Sequence, residues 1–263
     1  MIGRESGWYR KSFIVKNKLT GSRLRLPGGI FMKVLVLSSG GIDSTTCLAL
    51  AVDKYGKENV MSLSVFYGQK HAKELEAARK IAAYYEVEHR ELDMAVIFAD
   101  SDCTLLSGRG SVPQGDYASQ LQSREGKPVS TYVPFRNGLF LAAAASAALS
   151  KGCGEIYYGA HGDDSAGNAY PDTSSAFHEA MGQAVYEGSG KALKIVAPFI
   201  RSHKSQVVAE GVKLKVPYEL TWSCYEGGEK PCGICATCID RKKAFDLNGL
   251  RDPAQAGEEN KSR

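Results

Sequence analysis

Lys33-Val34-Leu35-Val36-Leu37-Ser38-Ser39-Gly40-Gly41-Ile42-Asp43-Ser44-Thr45 is the stretch from which the fold can be read. Its Val and Leu run is too apolar for a half-exposed strand and reads as one buried on both faces, as in a parallel sheet. Two glycines then lead into a helix pattern over 44–54. A strand passing through glycines into a helix start presents bare backbone N–H groups and the positive end of a helix dipole, so an anion is the natural guest. Gly40 and Gly41 permit close approach, while Ser39, Ser44 and Thr45 add hydroxyl donors. Asp43 would repel phosphate unless a metal ion intervenes or it caps the helix. The same residues also read as a plain Gly-Gly turn with Asp43 or Ser44 as an N-cap. No Gly-Lys-Ser/Thr follows at the spacing of a P-loop, and the dinucleotide fingerprint is absent.

Outward from this stretch, apolar runs at 60–66, around 89–92, at 155–159 and at 194–196 alternate with helix-period segments at 70–86, 136–151, 175–187 and 204–214. That alternation predicts an α/β fold, an open parallel sheet flanked by helices. Ligands of such a sheet sit beyond the carboxyl ends of the strands, which selects 38–44, 67–71 and 160–172. The polar stretch 107–130 interrupts the rhythm as a lid, a partner surface or a disordered loop. The expected organisation is an extension over 1–31, a main domain over 32–219, a knuckle with a closing helix over 220–248, and a polar tail over 249–263.

Composition excludes several classes. Hydrophobic residues make up 43% of the 263-residue chain, ample for a packed core. No run approaches the roughly 18 apolar residues of a membrane span. Residues 1–31 hold seven Lys or Arg against one acid, leaving 26 basic and 28 acidic side chains, a net −2, over 32–263. The main body therefore has no general attraction to nucleic acid. The leader lacks a secretory h-region; an organelle transit peptide or a non-catalytic extension both fit its Arg-rich composition. Seven cysteines in a chain this long argue against a disulfide scaffold and for the reducing cytoplasm.

Four of those cysteines cluster. Cys224, Cys232, Cys235 and Cys238 are separated by seven, two and two residues, with Gly227, Gly228 and Gly233 available for tight turns. Four thiolates close a tetrahedral shell, so structural Zn²⁺ is the direct reading, and an iron–sulfur cluster is its rival.

Ser39 to Ser44 resembles the Ser-Gly-Gly-x-Asp-Ser loop of the N-type ATP pyrophosphatases. Taken with Phe66-Tyr67-Gly68-Gln69, Val133-Pro134-Phe135-Arg136-Asn137, Gly159-Ala160-His161, Tyr170-Pro171-Asp172, Pro198-Phe199 and Leu220-Thr221-Trp222-Ser223-Cys224, the chain from Met32 to about Phe245 resembles the QueC family. The resemblance implies ATP-dependent conversion of 7-carboxy-7-deazaguanine and ammonia to the nitrile in queuosine biosynthesis, with Mg²⁺, by a cytoplasmic homodimer without nucleic-acid or membrane partners. It implies that Leu37, Ser38, Ser39, Gly40, Gly41, Ile42, Asp43, Ser44 and Thr45 hold the phosphates, with Tyr67 and Gln69 lining the adenine or substrate pocket. Asp43, Ser44, Lys204 and Arg136 would serve catalysis. Arg136, Asn137, His161, Asp163, Asp164, Tyr170, Asp172 and Arg201 would meet the substrate, and Cys224, Cys232, Cys235 and Cys238 the metal. Family members usually continue Tyr-Pro-Asp with Cys-Arg, whereas this chain has Thr173-Ser174. A tRNA-thiolating enzyme, an amide-forming synthase on another deazapurine carboxylate and a non-enzymatic binding knuckle are the alternative readings.

Overall fold

Lys33–Leu37 (β1) lies at the centre of a five-stranded sheet, its Val34, Leu35 and Val36 fully covered from both faces. A computed structural model describes residues 32–124 and 127–254. The remaining strands are Val60–Phe66 (β2), Glu88–Asp93 (β3), Cys153–Tyr157 (β4) and Lys194–Val196 (β5). All pairings are parallel, in the order β3-β2-β1-β4-β5. Central β2 is apolar or small throughout and covered, whereas edge strand β3, Glu-His-Arg-Glu-Leu-Asp, exposes charges that discourage pairing with another chain.

The connections are Ile42–Tyr55 (α1), Lys73–Tyr84 (α2), Tyr117–Gln122 (α3), Arg136–Ser150 (α4), Ser175–Gly188 (α5), Lys204–Lys213 (α6) and Ala236–Asp246 (α7). α1, α2, α6 and α7 supply one hydrophobic cluster, against Val34 and Val36. α4 and α5 cover the opposite face, against Leu35 and Ile156. The predicted open sheet with flanking helices is therefore the observed one.

Two segments differ from the sequence expectation. α2 begins at Lys73 and not at residue 70, because Lys70 N–H donates to Leu105 O (3.0 Å) and Gln69 bridges Leu106, which holds 67–72 in a turn. The 107–130 stretch carries α3 and packs inward: Gln114 bridges Cys235, and Val129 packs with Ala169 and Tyr170. Residues 1–31 and the tail from 255 lie outside the described residues. No helix among the described residues is long and apolar enough to cross a membrane.

The order reverses between β1 and β4, and the crevice beyond their carboxyl ends is where this topology takes ligands. At Thr173-Ser174, Thr173 donates to Tyr170 O (2.7 Å) and Ser174 caps α5 by accepting Phe177 N–H (3.1 Å). Ser174→Ala should cost about 1 kcal/mol, read as a lower urea midpoint with an unchanged slope; no shift would show that α5 is fixed by packing alone.

Candidate active site and cysteine centre

α1 starts in the crevice without a side-chain cap, so the N–H groups of its first turn face the cleft. Two features seat it there. Gly40, at φ +80°, lies so close to α2 that a Cβ would come within 2.3 Å of Glu74 O, and a Cβ on Gly159 would come within 2.7 Å of Ser44 N. The loop then wraps on itself: Ser39 N–H donates to Ser44 Oγ (3.1 Å), Gly41 N–H points at Ser39 Oγ (3.4 Å), and the two hydroxyls meet at 3.1 Å. Thr45 Oγ1 is committed to Gly41 O (2.7 Å), so its hydroxyl serves the helix.

A charged cluster stands beside this helix start. Lys204 Nζ donates to Asp43 Oδ2 (3.0 Å) and lies 3.4 Å from His161 Nε2, which is 3.2 Å from Asp164 Oδ1. Burial alone would raise the Asp43 carboxyl; Lys204 and His161 hold it below its usual range. Burial raises Asp164, while Lys204, opposed by burial but held by Asp43 and Asp164, stays above its ordinary value. Asp43 Oδ1 and His161 Nδ1 are buried with no hydrogen-bond partner.

Across the cleft, Arg136 opens α4 directly after Phe135, whose backbone adopts φ +53°, a rare conformation for an aromatic residue. The guanidinium lies 5.1 Å from the centre of the Tyr67 ring and 5.8 Å from that of Phe140. It donates to the Tyr67 hydroxyl at 3.4 Å and forms no ion pair among the described residues. It is thus a cation stacked in place and free for an anion.

The predicted residues fall into two groups. Leu37, Ser38, Ser39, Gly41, Ile42, Asp43 and Ser44 line one cleft, and so do Tyr67, Gln69, Arg136, Asn137, Asp164, Tyr170 and Lys204. Gln69 Oε1 accepts Tyr67 N–H (2.8 Å) and so holds the turn that presents Tyr67. Gly40, Thr45, His161, Asp163, Asp172 and Arg201 are not among the lining residues. Asp172 accepts Asn137 N–H (2.8 Å) at the start of α4, and Asp163 accepts Lys204 N–H (2.8 Å) at the start of α6. Each carboxylate meets the positive end of a helix that carries a cleft cation. Arg201 is exposed and pairs with Glu179 (3.5 Å).

Sequence reasoning missed Glu74, Tyr117, Trp222, Tyr225 and Asp240, which also line the cleft. The hydroxyls of Tyr117, Tyr170 and Tyr225 meet at 3.0 to 3.3 Å, joining the 107–130 stretch, the loop after β4 and the cysteine segment into one wall.

The sulfurs of Cys224, Cys232, Cys235 and Cys238 lie within 4.8 Å of one another, the one such group among the described residues. A tetrahedral Zn–S shell needs sulfurs about 3.8 Å apart, and Cys232 and Cys238 stand 4.0 Å apart. Backbone N–H groups of Glu226 and Cys232 approach Cys224 Sγ at 3.4 and 3.3 Å, which suits thiolates. The centre is not a pendant module. Its buried thiols share a cluster with Val65, Tyr67 and Phe98, and Trp222 N–H donates to Gly40 O (2.9 Å), tying it to the glycine turn before α1.

A 7-cyano-7-deazaguanine synthase of Archaeoglobus fulgidus is 42% identical over 87% of this chain and 92% of its own length. One of Oceanobacillus iheyensis is 41% identical over 84% and 96%. Among solved structures, an NMN synthetase of Francisella tularensis superposes with a TM-score of 0.47 at 16% identity, over 83% of this chain and 78% of that one. The family model described as "Queuosine biosynthesis protein QueC" matches residues 33–249, nearly the whole of the described fold, and the chain belongs to that family.

Proposed function

We propose that the chain is an ATP-dependent carbon–nitrogen ligase that converts 7-carboxy-7-deazaguanine and ammonia to 7-cyano-7-deazaguanine. The observation that carries the proposal is the cleft's polarity: an uncapped helix start with Lys204 on one side, and Arg136, without a carboxylate partner, on the other. An ATP triphosphate suits the first and a substrate carboxylate the second.

A free carboxylate is a poor electrophile, so the first step gives it a leaving group. A carboxylate oxygen attacks the α-phosphorus, the bond to the bridging oxygen breaks, and pyrophosphate departs with the electron pair. Ammonia then attacks the acyl carbon, AMP leaves, and a proton is lost to give the amide. Adenylation of the amide oxygen by a second ATP lets AMP carry that oxygen away as two N–H protons leave, forming the nitrile. The protein's share is placement and charge stabilisation. The α1 start and the Ser39 and Ser44 hydroxyls hold phosphate oxygens, Lys204 neutralises charge growing on pyrophosphate, and Arg136 fixes the attacking carboxylate.

Asp43 Oδ1, buried and unpartnered, suits Mg²⁺, which would neutralise phosphate charge; with no further three-ligand group among the described residues, phosphates would supply much of its coordination. The cysteines suit Zn²⁺ in a closed structural shell, with no position left for substrate.

The test is incubation with 7-carboxy-7-deazaguanine, ammonium and Mg-ATP. Nitrile by mass spectrometry with AMP and pyrophosphate is the expected result. Release of ADP overturns the ligase reading, and accumulation of amide restricts it to the first half of the reaction.

A further inference from the structure

Most acids in and around the cleft have work inside the protein. Asp43 pairs with Lys204, Asp164 lies against His161, and Asp163 and Asp172 hold the starts of α6 and α4. Asp240 stands on the phosphate side, acted on by Lys204, Asp164, His161 and Asp163. Glu74 differs. It lines the cleft from the first turn of α2, fixed there by the close approach of Gly40 to its carbonyl, and the charged group that acts on it is Arg136.

Among the described residues no hydrogen bond or ion pair engages the Glu74 carboxylate, and Arg136 donates only to the Tyr67 hydroxyl. Burial pushes the Glu74 carboxyl up to about 7 against the pull of Arg136. A half-buried carboxylate without protein donors, lining a cleft, leaves its acceptor oxygens open to a ligand that brings donors. The neighbouring hydroxyls of Tyr117, Tyr170 and Tyr225 bond to one another and need nothing from that ligand. One cleft thus holds an anion and a cation that line it together without pairing. A molecule with a carboxylate at one end and two adjacent N–H donors at the other satisfies both.

We propose that Glu74 reads the ring N–H and exocyclic amino donors of a guanine-type base whose carboxylate is held by Arg136. The proposal rests on the function proposed above and adds the residue that selects the 2-amino group.

Glu74→Gln tests it, because Gln keeps one acceptor oxygen but turns an N–H group toward the second donor. The wild type and the variant are compared by AMP release with 7-carboxy-7-deazaguanine and with its analogue lacking the 2-amino group. KM for the 2-amino substrate should rise roughly 10- to 100-fold in the variant, while KM for the analogue and for ATP move less than about 3-fold. Selectivity for the 2-amino group therefore collapses. Glu74→Asp, which keeps both oxygens, should restore part of it.

An equal loss with both substrates would mean a structural role and overturn the proposal. A rise confined to KM for ATP would assign Glu74 to the ribose hydroxyls and overturn it as well. If the wild type forms no AMP with either carboxylate, the ligase reading fails first and this proposal with it. That outcome differs from an active wild type whose Glu74→Gln variant keeps its selectivity.

Discussion

Lys204→Met should lower kcat/KM for ATP by about 10²- to 10³-fold, the loss expected when a donor aimed at developing charge is removed. Lys204 is the cation in contact with Asp43 and lies beside the uncapped start of α1, so without it negative phosphate would face Asp43 and Asp164. Stability should fall too. Asp43 keeps 20% of its side chain exposed, so the cost at pH 7 should be about 2 kcal/mol, below that of a fully buried pair. The pH dependence has a definite sign. Lys204 helps hold the Asp43 carboxyl below its ordinary value, a contribution present at neutral pH and lost as pH falls through the folded value, which is below 3.8. Urea titrations of the two proteins should therefore converge on acidification below about pH 4. A variant with unchanged turnover, or a stability gap independent of pH, would place Lys204 outside the site.

The glycine-rich turn from β1 into α1 was legible as a cleft element from local pattern, an apolar run, glycines and a helix start, whereas Lys204 was named only through the family resemblance; both line the cleft. The sequence did not reveal what Asp163 and Asp172 do. Asp163 serves the start of a helix 41 residues later in the chain and Asp172 the start of one 35 residues earlier, caps with no local signature. Glu74 was hidden for a similar reason. Within Lys73-Glu74-Leu75-Glu76 it reads as an ordinary first-turn acid, and only the docking of Gly40 against α2 brings it to the cleft. Tyr117 and Tyr225 come from turn-rich segments in which periodicity says nothing about direction; their hydroxyl contacts are long-range. The left-handed backbone of Phe135, which launches Arg136 into the cleft, is likewise invisible to propensity, since an aromatic residue is an unlikely occupant of that region.

The cysteine spacing was the other legible feature, and its structural position sets the second large effect. Removal of the metal with a strong chelator should lower the melting temperature by roughly 10 to 20 °C, because binding to a closed four-thiolate shell is folding free energy. Cys235→Ser should do the same while lowering metal content from about one zinc per chain, measured by elemental analysis. The damage should reach ATP. Trp222 N–H donates to Gly40 O, its indole N–H donates to Cys224 O (2.8 Å), and Thr237 donates to Ser223 O (2.7 Å). The segment that carries the four cysteines thus also fixes the carbonyl of Gly40, in the loop proposed above to hold phosphate. Below its own melting point, the stripped protein should bind ATP more weakly than the loaded one, by calorimetry. Iron and sulfide in place of zinc would overturn the zinc assignment and revive the cluster reading. An unchanged melting temperature would show that the thiols are held by the hydrophobic cluster they share with Val65 and Tyr67 and need no ion. Retained ATP affinity in a protein that has lost both metal and thermal stability would separate the two functions of the segment. The phosphate loop would then owe its shape to α2, through the close approach of Gly40 to Glu74, and not to Trp222.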